Sequence, residues 1–158
     1  MKLSLLRPYA APLLVFATLL STGSLGVVAA SSRVPRDVGS VFGVLNSARG
    51  SQRVRPLRLD PRLSEIARRY AADMAARRYF GHMTPEGLTP FARMTQARYR
   101  YGYAGENVGR GRTALQAQKW LWNDRPHRAV MLNPHFARVG IGTARTANEV
   151  ILVEDFSD

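Results

Sequence analysis

Residues 105–132 read GENVGRGRTALQAQKWLWNDRPHRAVML. The segment opens on a carboxylate, Glu106, inside a glycine-rich loop and closes on an imidazole, His127. Between them Thr113 is placed to cap a helix over 114–123, which Pro126 ends or kinks because its ring nitrogen cannot donate a helical hydrogen bond. On that helix Trp120 is expected in the core and Trp122 to point toward a groove or partner surface. A brief helical turn is expected over 127–132 before Asn133-Pro134 breaks it. Upstream, a second imidazole, His82, stands in YFGHMTPEG (79–87). Three such residues on separate loops meet only if the chain doubles back on itself.

The flanking segments supply the layers for that doubling back. Downstream, FARVGIGTAR (136–145) and EVILVEDF (149–156) are β-rich runs separated by Thr146-Ala147-Asn148, the pattern of an antiparallel hairpin. Upstream, Asp60-Pro61 is a strong helix start, with Asp as cap and Pro at the first helical position. Leu63, Ile66, Ala67, Tyr70, Ala71 and Met74 then form one apolar stripe, and Gly81 is a plausible stop that leaves His82 in a loop. Thr89-Pro90 repeats the start signal for a short helix. Asp37 can cap a first helix through 38–50, followed by an extended QRVRPLRLD (52–60). RYRYGYAGENVGRG (98–111) reads as irregular or a short strand. The fold class is α+β, a three-layer α-β-α sandwich with a small antiparallel sheet.

Residues 1–30 read as a signal peptide. Lys2 and Arg7 precede an apolar run, and Val28-Ala29-Ala30 offers small residues for cleavage; a retained N-terminal membrane anchor is the alternative. Residues 31–37 are expected as a linker and 38–158 as one domain working outside the cytoplasm. The chain has no cysteine, so neither a disulfide framework nor a thiol nucleophile is available. Net charge is +12, to which Lys2 and Arg7 contribute two, and Lys119 is the one later lysine. Such a balance attracts anionic surfaces, although the arginines are scattered along the sequence; export argues against a nucleic-acid partner.

No HExxH, GxSxG or P-loop is present. Residues 109–114 formally match a dinucleotide fingerprint but lie in no parallel βαβ unit. Chemistry therefore rests on His82, Glu106 and His127. Imidazoles and a carboxylate suit Zn²⁺ or another divalent ion with one position left for water. The carboxylate can instead orient a histidine without metal, or the trio can simply clasp three loops.

The series LNSAR (45–49), RPLRLDPRL (55–63), YFGHMTPEGLTPFARM (79–94), YAGENVGRG (103–111), WLWNDRPHRAVMLNPHFARVGIG (120–142) and VEDF (153–156) resembles the bacterial branch of the CAP superfamily. This is the SCP-domain family of cysteine-rich secretory, antigen five and pathogenesis-related proteins. The resemblance implies an α-β-α sandwich whose groove holds two histidines and two acids. It puts the histidines on His82 and His127, as metal ligands where a metal binds, and the glutamate of the GEN motif on Glu106. The remaining acid falls on Asn123, which cannot act as a base.

Beside these, Tyr101 and Tyr103, with Tyr99, can rim a ligand along with Trp122, or cover the sheet edge with hydroxyls wet. His135 is expected exposed on a loop, and Asn107 to bond backbone locally. The resemblance implies no general enzymatic activity, and some members of the family are associated with lipids or sterols. The favoured function is an exported binding or interaction module for a lipid, peptide or envelope polymer, and more in keeping with no enzyme than with one. The alternative is a metal-dependent hydrolase of a peptide or ester with Glu106 as general base.

Overall fold

The computed structural model describes residues 34–158; the expected signal peptide or anchor lies outside the described residues. In chain order the elements are α1 (Arg36–Ser51), β1 (Arg58–Leu59), α2 (Pro61–Arg77), α3 (Pro90–Gln96), β2 (Ala104–Gly111), α4 (Ala114–Asn123), α5 (Arg125–Met131), β3 (Arg138–Arg145) and β4 (Val150–Ser157). The sheet order is β1-β3-β4-β2, antiparallel except for the short parallel β1–β3 pair. Among the described residues no helix is long and apolar enough to cross a membrane.

Side-chain alternation on β4 divides the core between the two faces of the sheet. Ile151 and Val153 meet Ala67, Tyr70, Ala71 and Met74 of α2. Val150, Leu152 and Phe156 meet α1 and α4 through Val41, Leu45, Ala117 and Leu121. These are the three expected layers. The buried residues of α2 are the stripe read from the sequence, and Asp60 caps the helix by accepting from the N–H groups of Arg62 and Leu63.

Two glycines explain why α2 lies so flat on β3. A Cβ on Gly140 would stand 2.2 Å from the carbonyl carbon of Leu63, and one on Gly142 would stand 2.1 Å from the backbone nitrogen of Arg68. Backbone packs on backbone there, which only glycine permits.

Several boundaries differ from expectation. The first helix begins at Arg36 with Pro35 in the cap position, inside the expected linker, and Asp37 lies in its first turn. Helix α2 stops at Arg78, whose φ of 59° ends it in the left-handed region before Gly81 is reached. The GENVGRG segment, expected as irregular or a short strand, lies in a full eight-residue strand paired along β4. Its glycines weaken the local β signal, yet Gly109 and Gly111 are where α4 closes on the strand: added Cβ atoms would meet Leu121 and the backbone of Ala117 within 3 Å.

One buried arginine ties the layers at the α1 end. Arg49 is fully buried and donates to the carbonyls of Arg55 (2.8 Å), Met131 (2.6 Å), Asn133 (3.1 Å) and Phe136 (3.3 Å). Burial lowers its pKa, and Arg55 nearby lowers it further. The guanidinium thereby satisfies the irregular 131–136 backbone, which no sheet or helix serves.

Candidate functional site: two carboxylate-held histidines beside strand β2

Strand β2 is the sheet edge, and its alternation sends Glu106 toward α2 and α3 and Asn107 toward α4 and α5. On the first side, Glu106 Oε1 lies 2.8 Å from His82 Nδ1, and Oε2 accepts from Arg93 Nη2. On the second, Asn107 Nδ2 donates to the carbonyl of His127 (3.2 Å) and to Glu154 Oε2 (3.2 Å). The His82 and His127 rings stack with centroids 6.4 Å apart and planes at 21°. His127 Nδ1 is 2.5 Å from Asp124 Oδ2, and Trp120 leans on its ring at 5.3 Å.

The sequence trio therefore does come together, but the carboxylates serve the rings. An ionised carboxylate only accepts, so each Nδ1 carries the proton, and Nε2 of each ring is left without a protein partner among the described residues. The Glu106 bond raises the His82 pKa against the opposing effect of burial. His127 lowers the Asp124 pKa through their hydrogen bond.

Arg93 is the residue that organises the deeper side. Its side chain is 8% exposed and, besides Glu106, it donates to the carbonyls of His82 (3.0 Å) and Leu88 (3.1 Å). Its guanidinium carbon lies 3.3 Å from the centre of the Tyr70 ring, a cation–π contact. Directly across the ladder from Glu106 sits Asp155, buried, with neither oxygen hydrogen-bonded. Burial first, and then the Glu106 charge, push the Asp155 carboxyl well up. One guanidinium faces two carboxyl groups, so one of the two keeps its proton.

Five residues stand otherwise than their sequence context suggests. Glu106 is not placed as a general base: its side chain is 1% exposed and both oxygens are taken. Asn123 is exposed at the end of α4, and the acid beside His127 is the next residue, Asp124, which also caps α5. Trp120 is 52% exposed, whereas Trp122 packs against the core beneath α4. The helix buries Ala114, Ala117, Gln118 and Leu121, a phase that turns Trp120 out and Trp122 partly in. Asn107 bonds across the fold, not locally.

The tyrosines lie apart from the histidine pair. Tyr101 is half-buried against Phe91, Tyr103 stacks on His135 and Phe136, and Tyr99 is buried with its hydroxyl bonded to Asp60 and Ser157. His135 is an exposed loop residue as expected.

No third ligand is gathered beside the two rings for a divalent ion: among the described residues no group of three His, Asp or Glu side chains is brought together to hold one. Zinc–nitrogen bonds are about 2.0–2.1 Å, so two imidazoles on one tetrahedral ion stand with centroids roughly 5 Å apart. These stand 6.4 Å apart, and both nearby carboxylates are spent on Nδ1. As placed, the residues do not make a closed metal centre.

Arg93, Asp124, Glu154 and Asp155 were missed by sequence reasoning. For three of them the sequence carried a signal. VEDF sets consecutive carboxylates, Glu154 and Asp155, in an apolar strand, which puts one on each buried face. Asp124 stands three residues before His127 with Pro126 between, a helix-start pattern.

A groove of about 630 Å³ runs between α2 and α3, walled by Ile66, Tyr70, Leu88 and Ala97 with Arg62 and Arg93 among the polar lining. Arg93 thus stands in the groove wall and in the histidine site at once.

The family model for the cysteine-rich secretory protein family matches residues 42–156. The uncharacterised protein YkwD of Bacillus subtilis strain 168 is 36% identical over 103 residues, covering 65% of this chain and 40% of its own length. An extracellular SCP-domain protein of Bacillus anthracis superposes with TM-score 0.71 at 24% identity, over 77% of this chain and 40% of that one. An outer surface protein of Borrelia burgdorferi gives TM-score 0.72 at 20% identity, over 77% of this chain and 92% of that one. The chain spans about 40% of the length of the first two. With the α-β-α layers, the GEN strand and the paired histidines in place, and without a single cysteine, this chain belongs to the cysteine-rich secretory protein family.

Proposed function

We propose that this protein is an extracytoplasmic binding domain, not a hydrolase, and that its ligand is a small amphipathic molecule seated in the α2–α3 groove. The observation that carries the choice is the engagement of both carboxylates. Glu106 and Asp124 each hold an imidazole Nδ1, and Glu106 is further neutralised by Arg93, so neither is free to activate water. The groove volume of about 630 Å³ falls in the range of small-molecule sites, and its lining joins apolar Ile66, Tyr70, Leu88 and Ala97 to charged Arg62, Glu65, Arg69, Asp73 and Arg93. Location outside the cytoplasm is supported by the apolar leader-like residues 1–30 and by the extracellular and outer-surface descriptions of the two structural relatives.

The test is titration of the full chain with a fluorescent sixteen-carbon fatty acid, beside Ala97→Trp, which fills the groove from an exposed wall position. Saturable binding is expected in wild type and loss of at least tenfold in affinity in the variant. Equal binding in both places the ligand elsewhere. In parallel, turnover of a nitrophenyl ester or a peptide by wild type that is lost in Glu106→Gln would overturn the non-enzymatic reading. Calorimetry with zinc on wild type and on the His82→Ala/His127→Ala double variant tests the metal. Tight binding in wild type alone would show that the rings close on an ion.

A further inference from the structure

The arginines scattered along the sequence are not scattered in space. Arg58 on β1 is the register partner of Arg138 on β3, and Arg138 stands opposite Ser157 on β4. Ser157 Oγ meets the Tyr99 hydroxyl at 3.0 Å, and Arg98 and Arg100 flank that tyrosine in the chain. Arg62, in the first turn of α2, has its guanidinium 6.0 Å from the Tyr99 ring centre and donates to the carbonyls of Ala97 and Arg98. Strand register, chain adjacency and the Arg62 contacts therefore bring five arginines from four separate segments to one end of the molecule, near the start of α2, and all but Arg138 are exposed residues.

What distinguishes this face is an excess of cations: five arginines stand with two local carboxylates, Asp60 and Asp158. Glu65, Asp73, Glu86 and Glu149 are paired with Arg68, Arg69, Arg77 and Arg110. Both local carboxylates are held by neutral donors: Asp60 caps α2 and accepts from the Tyr99 hydroxyl, and Asp158 accepts from the N–H groups of Gly102 and Tyr103, so they offset only part of the local positive charge. Arg138 donates to the main-chain oxygen of Asp158; the Tyr103 and Gly102 N–H bonds lower the pKa of that residue's carboxyl group, and the Arg138 charge helps lower it further. None of the side-chain ion pairs among the described residues includes Arg58, Arg62, Arg98, Arg100 or Arg138. Guanidiniums in excess of the local acids on a solvated face self-repel and gain from an anion that bridges them. Their planar forks match phosphate and carboxylate oxygens two at a time.

We propose that this face binds a linear polyanion, a chain of repeated phosphate or carboxylate groups, lying across Arg58, Arg98 and Arg100. A bilayer surface fits less well. The neighbouring rings, though Phe91 and Tyr103 are about half exposed, pack on other rings, Tyr101 against Phe91 and Tyr103 against His135 and Phe136.

The experiment measures affinity of the full chain for long-chain inorganic polyphosphate over a range of sodium chloride concentrations. Three proteins are compared: wild type, Arg58→Gln/Arg98→Gln/Arg100→Gln, and the charge-matched control Arg112→Gln/Arg125→Gln/Arg145→Gln, whose sites are exposed elsewhere. The patch variant is expected to lose at least tenfold in affinity, and its slope of log K against log salt to flatten by about 2, since each neutralised charge contributes a slope near 0.7–0.9 in nucleic acids. The control is expected to stay within threefold of wild type, and all three to melt alike. An equal loss in patch variant and control would reduce the effect to net charge and overturn the proposal. So would no polyphosphate binding by wild type, or binding only to vesicles of three parts phosphatidylcholine to one part phosphatidylserine.

Discussion

Glu154 is a buried carboxylate in no ion pair among the described residues, and Glu154→Gln is expected to stabilise the protein in a pH-dependent way. The side chain is fully buried on β4; Oε2 accepts from Asn107, while Oε1 has no partner. Gln118 Oε1, also buried on the same side of the sheet, is a second acceptor without a donor. Burial pushes the Glu154 carboxyl from 4.5 up to about 7. The folded state thus holds a proton that the unfolded chain has released, and stability from this group is full below pH 4.5 and lost as pH rises through 7. The loss across that window is about 3 kcal/mol, at 1.36 kcal/mol per pH unit. A glutamine keeps the shape, accepts from Asn107 and supplies a permanent donor where the carboxyl must keep a proton. Urea unfolding followed by tryptophan fluorescence at pH 4.5, 6 and 8 reads the difference between variant and wild type, so that other titrations cancel. The two should be nearly equal at pH 4.5 and diverge toward about 3 kcal/mol in favour of the variant at pH 8. A difference that does not change with pH would refute a neutral Glu154.

The same geometry fixes the outcome of four other perturbations. Arg93→Met leaves Glu106 without its buried cation and is expected to cost about 3–5 kcal/mol in denaturant unfolding at pH 7, since breaking a buried pair strands its partner. Glu106→Gln removes the bond that raises the His82 pKa, so the His82 titration followed by NMR should move down in pH. The sign for stability is that of a raised base: the His82–Glu106 contribution is full below about 6.5, the unfolded value, and disappears as pH rises through the folded one. Nitrogen shifts of both rings should report the Nδ1–H tautomer, and Asp124→Asn should change that of His127 alone. Gly142→Ala forces a Cβ into the α2 backbone and should cost at least about 3 kcal/mol or prevent folding, because nothing flexible is there to yield.

The layers were readable because their signals are local. Asp60-Pro61, Thr89-Pro90 and Thr113 each place an oxygen where the first helical N–H groups need one, and all three cap the helices that follow. The strand GENVGRG was harder to read, since glycine carries no β preference and its reason for being there is α4, which is distant information at the level of spacing. The site divides the same way. His82, Glu106 and His127 were found through motif resemblance, but which atoms face which depends on helix phase and strand register. A shift of one position moves the second acid from Asn123 to Asp124, and the phase of α4 exchanges Trp120 with Trp122 between surface and core.

Asp155 shows why the register matters to function. The ladder sets it opposite Glu106, so a strand pair that presents one acid to His82 necessarily buries another behind it. A single Arg93 stands near both, and burial together with the Glu106 charge pushes the Asp155 carboxyl up toward its neutral, protonated form, while Glu106 lies against His82 Nδ1 and accepts from Arg93. Asp155→Asn mimics that protonated state and should leave the His82 tautomer and titration unchanged. Asp155→Leu removes the polar group behind Glu106 and should move the His82 titration. Equal His82 titrations in wild type and both variants would show that Glu106 is held by Arg93 alone, with Asp155 a passive buried acid.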